Sequence, residues 1–401
     1  MTSTQRLPAT FWLYLIGMAA AALGDAILSI ALPYVTLGLP QSAGATSIAS
    51  VVLAGTLPRF LGPLLGSIAD RTPPHRIFLM TSLTRALCVL VCGLLLFQGL
   101  LPLSGLMALA FLNGTLATLA YAAGSAFVPR LLSAAQLPQA NSLSSGAMMG
   151  LPLVGYGLGG TLLHLLGDAG TLLIAVPLFL IFTGISLSLT RLPAAQGKQA
   201  NLWRDLQTGW SVLRHSKLLL SLLSLSFTLN LAMNIMNVRS PLHMRDFGRG
   251  SADYAVFEML ISGGVLLGIL MVTPLAKKFS LDTLIGVGRW VLALGMSGFL
   301  WSPVPMWWGA AAIFGIGLGL LEVAAVTRSQ QVVPAEVRGR VLGALMAFNA
   351  LGLTLGALVA GWPVKTSTLM GSLTLLLAFL AVLWPFAIRS AQTSSTEATE
   401  A

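Results

Sequence analysis

The sequence predicts an all-α integral membrane protein: twelve transmembrane helices in two pseudo-symmetric six-helix bundles. Three observations predict it. Of the 401 residues, 56% are hydrophobic and 8% charged, against about a quarter charged in a soluble domain, so water could not solvate the surface of such a fold. Polar breaks divide the chain into twelve apolar runs, each long enough for a hydrocarbon core that needs roughly 20 residues. Lys and Arg gather in alternate gaps between those runs, as they do in the cytoplasmic loops of membrane proteins.

In chain order the predicted spans are 11–38, 46–69, 77–98, 103–126, 142–166, 170–190, 218–240, 252–275, 281–301, 304–327, 340–362 and 366–388. The first is too long for a cleavable signal segment and has no small-residue cleavage site behind it, so it is expected to remain as a span. With the N-terminus inside, fifteen Lys and Arg fall on the cytoplasmic side and four outside. That bias predicts a bacterial inner-membrane protein with both termini cytoplasmic. The longest cytoplasmic segment, 191–217, separates an N-terminal bundle (1–190) from a C-terminal bundle (218–388). Within it Trp203, Leu206, Trp210 and Leu213 recur at helical spacing beside Arg204 and Arg214. This predicts an amphipathic helix, either on the inner leaflet or packed on the bundle. Residues 389–401 read as a disordered cytoplasmic tail. Trp301, Trp307 and Trp308 at one outer turn, with Trp12, Trp362 and Trp384 near other span ends, read as interfacial anchors.

The formal charge of +10 does not point to nucleic acid, because the basic residues lie in short gaps and form no patch on a soluble face. The two cysteines, Cys88 and Cys92, share one face of an apolar run without a nearby metal partner and read as packing residues. No Walker loop, Cys/His metal cluster, recognisable catalytic set or soluble domain is present in the sequence, which speaks against an enzyme and against a metal or other cofactor. The expected partners are a small-molecule substrate, the proton and the lipid bilayer, and the chain is expected to act as a monomer.

An internal repeat supports the division in two. Gly66-Ser-Ile-Ala69-Asp70-Arg71 aligns with Thr273-Pro-Leu-Ala276-Lys277-Lys278, and Pro129 matches Pro334 before spans 5 and 11. At these residues the chain resembles the major facilitator superfamily, over nearly its whole length. The loop after span 2, Gly66-x-x-x-Asp70-Arg71-Thr-Pro73-Pro74-His75-Arg76, keeps the Gly, Asp and first Arg of the family signature, while Pro-Pro displaces its second half. The resemblance implies that this loop is a cytoplasmic latch and that Asp70, Arg71 and Arg76 act in gating. Span 5, with Gly146, Gly150, Gly155, Gly157, Gly159 and Gly160, looks like the family's antiporter motif, with Tyr156 in place of proline; its glycines read equally as plain helix packing. Gly24-Asp25, Arg85, Pro138-Gln-Ala-Asn141 and the stretch from Gln331 through Pro334, Glu336 and Arg338 to Arg340 resemble the macrolide-efflux and enterobactin-exporter-like branch. That resemblance implies export of drug- or siderophore-like molecules.

Charge inside a span is costly and points to function. Asp25 and Arg59 are placed roughly 20 and 16 Å into spans 1 and 2 by a rise of about 1.5 Å per residue. Asp25 is therefore expected to carry the coupling proton, with Arg59 beside it in one conformation and withdrawn in the other; a permanent structural ion pair is the alternative. Glu258, near the outer end of span 8, is expected in an outer-gate ion pair with Arg239, Arg245 or Arg249. Arg289 and Glu322 are expected to pair at similar depth, and Arg85, at the matching depth in span 3, to serve a symmetric structural role. Asn230, Asn234 and Asn237 form one polar stripe on span 7. With Met233 they are expected to bind substrate, the alternative being hydrogen bonding between helices. The expected activity is export of amphipathic small molecules by proton antiport with alternating access. Its rivals are an importer or facilitator of the same fold and a lipid-handling flippase.

Overall fold

The computed structural model describes residues 7–193, 202–301, 303–333 and 337–400. Among these residues the fold is entirely helical. Nine helices are long and apolar enough to cross a membrane, and the bent pair Ala45–Leu61 and Leu64–Arg71 makes a tenth. Helix α6 (Leu137–Ser188) counts once in that total but breaks at Gly167, whose φ of 69° and ψ of −175° only glycine holds without strain. Its two limbs carry the fifth and sixth predicted spans. Helix α10 (Leu281–Gly298), where the ninth span is predicted, is shorter and carries Asp282 and Arg289. The twelve predicted spans fit this architecture.

In the first half α1 (Ala9–Gly38) matches the first span. The second span is not one rod: α2 (Ala45–Thr56) passes through a 3-10 turn at Leu57–Leu61 into α3 (Gly62–Arg71), with a bend of 59°. Pro58 and Pro63 explain the break, since each lacks the backbone N–H that the α-helical ladder would use. Helix α4 (Pro74–Phe97) starts on a proline at its first position, where no donor is needed. Helix α5 (Leu103–Leu131) runs past the predicted end at 126 and includes Pro129.

In the second half α7 (Leu202–His215) is the predicted linker helix. Trp210 stacks on Phe348 with ring centroids 5.0 Å apart, and Leu213 is fully buried. Of the two alternatives, the helix packs on its bundle; the side chains of Trp203, Arg204 and Leu206 lie outside the described residues, as do Lys198 and Pro334 to Glu336. Then come α8 (Lys217–Asp246), α9 (Ser251–Ala276), α10, α11 (Val304–Val332), α12 (Arg338–Ala360) and α13 (Thr366–Glu400). The last helix runs on to Glu400, past the predicted span end at 388.

By their contacts the residues form two compact units, Met1–Gln199 with Met244–Val256, and Ala200–His243 with Phe257–Ala401. The linker helix therefore belongs with the second bundle, and the turn between α8 and α9 with the first. Within the first unit the Tyr34 hydroxyl donates to the Gly250 carbonyl at 3.0 Å.

Glycines set the helix crossings in both units. In the second, Gly264 and Gly268 of α9 face Gly315 and Gly319 of α11. A Cβ on Gly319 would strike the Val265 carbonyl oxygen, and one on Gly268 the Ile316 carbonyl oxygen. This small-x-x-x-small pairing lets backbones touch where lipid supplies no hydrophobic drive between helices. In the first unit Gly155 and Gly159 press on Ala26, Ile27 and Ile30 of α1, whereas Gly146 and Gly150 meet nothing within 4 Å. The Gly-rich run of span 5 is at least partly packing. Large apolar side chains such as Phe97, Leu165, Met346 and Leu375 stand more than half exposed, as befits a surface solvated by lipid.

Two of the predicted interfacial anchors are instead buried. Trp307 is 1% exposed, stacked on His243 at 3.8 Å and donating its Nε1–H to the Trp301 carbonyl. Trp384 donates to the Asp282 carbonyl at 2.8 Å. Position near a span end could not reveal that these rings point inward, whereas Trp301 and Trp362 do remain exposed.

Candidate functional site

The first unit holds a closed cluster of polar side chains. Asp25 sits near the middle of α1, Arg85 on α4, Asn113 on α5 and Phe179 on the second limb of α6. The Arg85 Nη2 donates to Asp25 Oδ1, forming an ion pair. The Arg85 Nε–H donates to Asn113 Oδ1 at 2.8 Å, and Asn113 Nδ2 donates back to Asp25 Oδ1 at 3.1 Å. The guanidinium lies 4.1 Å from the centroid of the Phe179 ring, a cation–π seat.

Gly24 explains how this seat is reached. A Cβ there would lie 3.1 Å from Phe179 Cζ, so the glycine lets the ring lie against α1 beside the carboxylate. The Arg85 side chain is 4% exposed and that of Asp25 37%. The cation is thus fixed by three partners, while the carboxylate keeps one oxygen, Oδ2, without a partner among the described residues.

In this conformation the ion-pair partner of Asp25 is Arg85 and not Arg59, whose expected approach to Asp25 belongs to one of two states. Arg59 is exposed in the 3-10 turn and makes no ion pair among the described residues. The depth count assumed an unbroken α-helix, and the bend at Leu57–Leu61 invalidates it. Arg85, expected to serve only as structure, is the partner of Asp25. Asn113 was missed, although an amide inside an apolar span was a readable signal.

The second unit repeats half of the arrangement. Arg289 of α10 lies 4.3 Å over the Trp384 ring of α13, as Arg85 lies over Phe179. It is 1% exposed and donates to the Leu380 and Ser221 carbonyls at 2.9 and 3.2 Å. No carboxylate joins it: Glu322 is exposed and forms no ion pair among the described residues, which corrects the expected Arg289–Glu322 pair. Helix α8, which stands where α1 stands in the repeat, has no Asp or Glu before Asp246.

The asparagine stripe on α8 is divided. Asn234 is 2% exposed and donates to the Leu353 carbonyl of α12 at 2.7 Å, and Asn237 donates to Asn234 Oδ1 at 3.1 Å. Asn234 therefore joins helices and does not face a ligand. Asn230 bonds back to the Ser226 carbonyl of its own helix; with Asn237 and Met233 it remains partly exposed. Asp70 and Arg71 end α3 and Arg76 lies in the first turn of α4, and no ion pair ties them among the described residues. Glu258 is buried in α9 at 6% exposure. Arg239 donates to the Trp362 carbonyl, and Arg249 approaches Asp253 at 4.0 Å.

Apolar helices in two repeated bundles, with charge buried among them, define a polytopic membrane protein. The family profile described as Major Facilitator Superfamily matches residues 14–357. The chain belongs to that superfamily. It is 25% identical over 373 residues to macrolide efflux protein A of Streptococcus pyogenes, covering 88% of each chain. It is 27% identical over 384 residues to the multidrug efflux pump Tap of Mycolicibacterium fortuitum, covering 90% of each. Among solved structures the nucleoside transporter NupG superposes with a TM-score of 0.73 at 15% identity, covering 96% of this chain and 99% of that one. The likeness to NupG carries the fold alone; the two relatives are efflux proteins.

Proposed function

We propose that this transporter exports amphipathic small molecules by proton antiport, as a monomer in a bacterial inner membrane with both termini in the cytoplasm. The observation that carries the proposal is the cluster around Asp25, an ionisable group inside the membrane with a fixed cation on one oxygen and open space at the other. Protonation of Asp25 releases its hold on Arg85, which keeps two other supports, Asn113 and Phe179. The cation can then stay in place while the charge of the site changes by one unit, the change that an antiport cycle must couple to substrate. A proton falling through 100 mV yields about 2.3 kcal/mol, roughly a 50-fold substrate gradient.

The efflux relatives support export of macrolide- or drug-like substrates, and the partly exposed Asn230, Asn237 and Met233 are the groups proposed to meet them. A thioether beside amides suits an apolar, loosely specified ligand. Asp70, Arg71, Arg76 and Glu258 are proposed as gating residues. The test is uphill uptake of a macrolide into inside-out proteoliposomes under an imposed pH gradient. Asp25→Asn should abolish accumulation while downhill exchange persists; undiminished accumulation refutes the antiport role. A facilitator of the same fold is the second reading, favoured by Arg85 being so fully enclosed and by Tyr156 in place of the antiporter proline.

A further inference from the structure

A groove unrelated to the Asp25 cluster opens on the second unit, between the N-terminal half of α10 and the end of α13. Its volume is about 490 Å³, within the range of small-molecule clefts. It is lined by the polar Ser280, Asp282 and Thr283 and by the apolar Val287, Trp290, Pro385 and Ile388. Gly286 forms the floor, its absent Cβ 3.3 Å from Trp384, and Trp384 is held in place by Arg289 and the Asp282 carbonyl. Trp290 and Val287 stand about half exposed.

The charge beside the polar residues selects the occupant. Asp282 is neutralised by Arg328 through two bonds of 2.8 and 3.1 Å, so it leaves no net negative charge. Lys277 and Lys278, in the turn that leads into Ser280, are exposed and carry no ion pair among the described residues. An open apolar surface beside hydroxyls, with two unneutralised ammonium groups in the turn that adjoins Ser280, fits an acyl chain joined to a phosphate. We propose that this groove binds an anionic phospholipid, its chain along Val287, Trp290 and Pro385 and its phosphate at Lys277, Lys278 and the hydroxyls of Ser280 and Thr283. On the cytoplasmic side that the basic loops predict, such lipids are attracted by each nearby Lys or Arg.

Trp290 reports on the groove directly. The protein is reconstituted in mixed vesicles of phosphatidylglycerol and phosphatidylcholine at equal mole fraction, with one or the other brominated on its chains. Fluorescence of the Trp290→Phe variant is subtracted to isolate Trp290. Brominated phosphatidylglycerol should quench Trp290 more than brominated phosphatidylcholine does, corresponding to a preference of roughly fivefold or more. In Lys277→Gln/Lys278→Gln the excess should disappear. Equal quenching by the two lipids in the wild type overturns the site, leaving only lipid that solvates the surface. An excess that survives in the double variant overturns the assignment of the phosphate to the lysines. Neither readout depends on transport or on Asp25.

Discussion

Replacing Arg85 by alanine removes three interactions at once: the ion pair with Asp25, the 2.8 Å bond to Asn113 and the Phe179 ring at 4.1 Å. A hydrogen bond to a charged group contributes about 1.5–3 kcal/mol and a cation–π contact about 0.5–2 kcal/mol. Truncating one member of a buried ion pair costs about 3–5 kcal/mol. Because the Asp25 side chain is 37% exposed, water can rehydrate the stranded carboxylate. The screened estimate falls to the lower end, about 3 kcal/mol. In an Asp25→Asn background the charge pair is already gone while the Asn113 bond and the Phe179 contact remain, so Arg85→Ala should cost about 2 kcal/mol. Equilibrium unfolding in mixed SDS micelles of the four proteins measures the difference, a coupling of about 1 kcal/mol. Arg59→Ala, at an exposed residue in the 3-10 turn, serves as control and should stay within about 0.5 kcal/mol of wild type. The reasoning fails if Arg85→Ala costs the same in both backgrounds, or if Arg59→Ala costs as much as Arg85→Ala.

Further predictions concern packing. Gly319→Ala, which drives a Cβ into the Val265 carbonyl, should destabilise by about 1–3 kcal/mol, whereas Gly263→Ala, with nothing within 4 Å, should leave the thermal midpoint unchanged. Asn234→Leu should lower the unfolding midpoint by about 1 kcal/mol through loss of the Leu353 bond, without changing the dissociation constant for a transported macrolide. Asn237→Ala should weaken that binding. Trp384→Leu, which removes the seat of Arg289 and the bond to Asp282, should lower stability by about 2 kcal/mol on the same unfolding assay.

The spans were legible because hydrocarbon imposes one length and one composition on every crossing. The family was legible at Gly66, Asp70, Arg71 and the repeat spacing. Asp25 stood out as a charge inside a span, but its partner did not, because depth along a rod says nothing of which side of the rod a residue occupies. Pro58 and Pro63 gave warning that span 2 is not straight, and with them the case for Arg59 weakens. The repeat held a better guide. Arg85 and Arg289 lie 204 residues apart, and Phe179 and Trp384 lie 205 apart, close to the offset that aligns the two halves. Two arginines and two rings in register predict the same seat twice, and Asp25 is the only carboxylate within the spans of helices α1 and α8 to answer either. Asn234 was harder to read, since an amide stripe looks the same whether it faces a ligand or the Leu353 carbonyl of a neighbouring helix.

The central claim is that Asp25 carries the coupling proton, and the direct measurement is proton release on adding macrolide- or siderophore-like ligands to detergent-purified protein in weakly buffered solution. The account predicts release from the wild type and none from Asp25→Asn that still binds ligand. Confirmed binding with no release from the wild type, or equal release from both proteins, contradicts it.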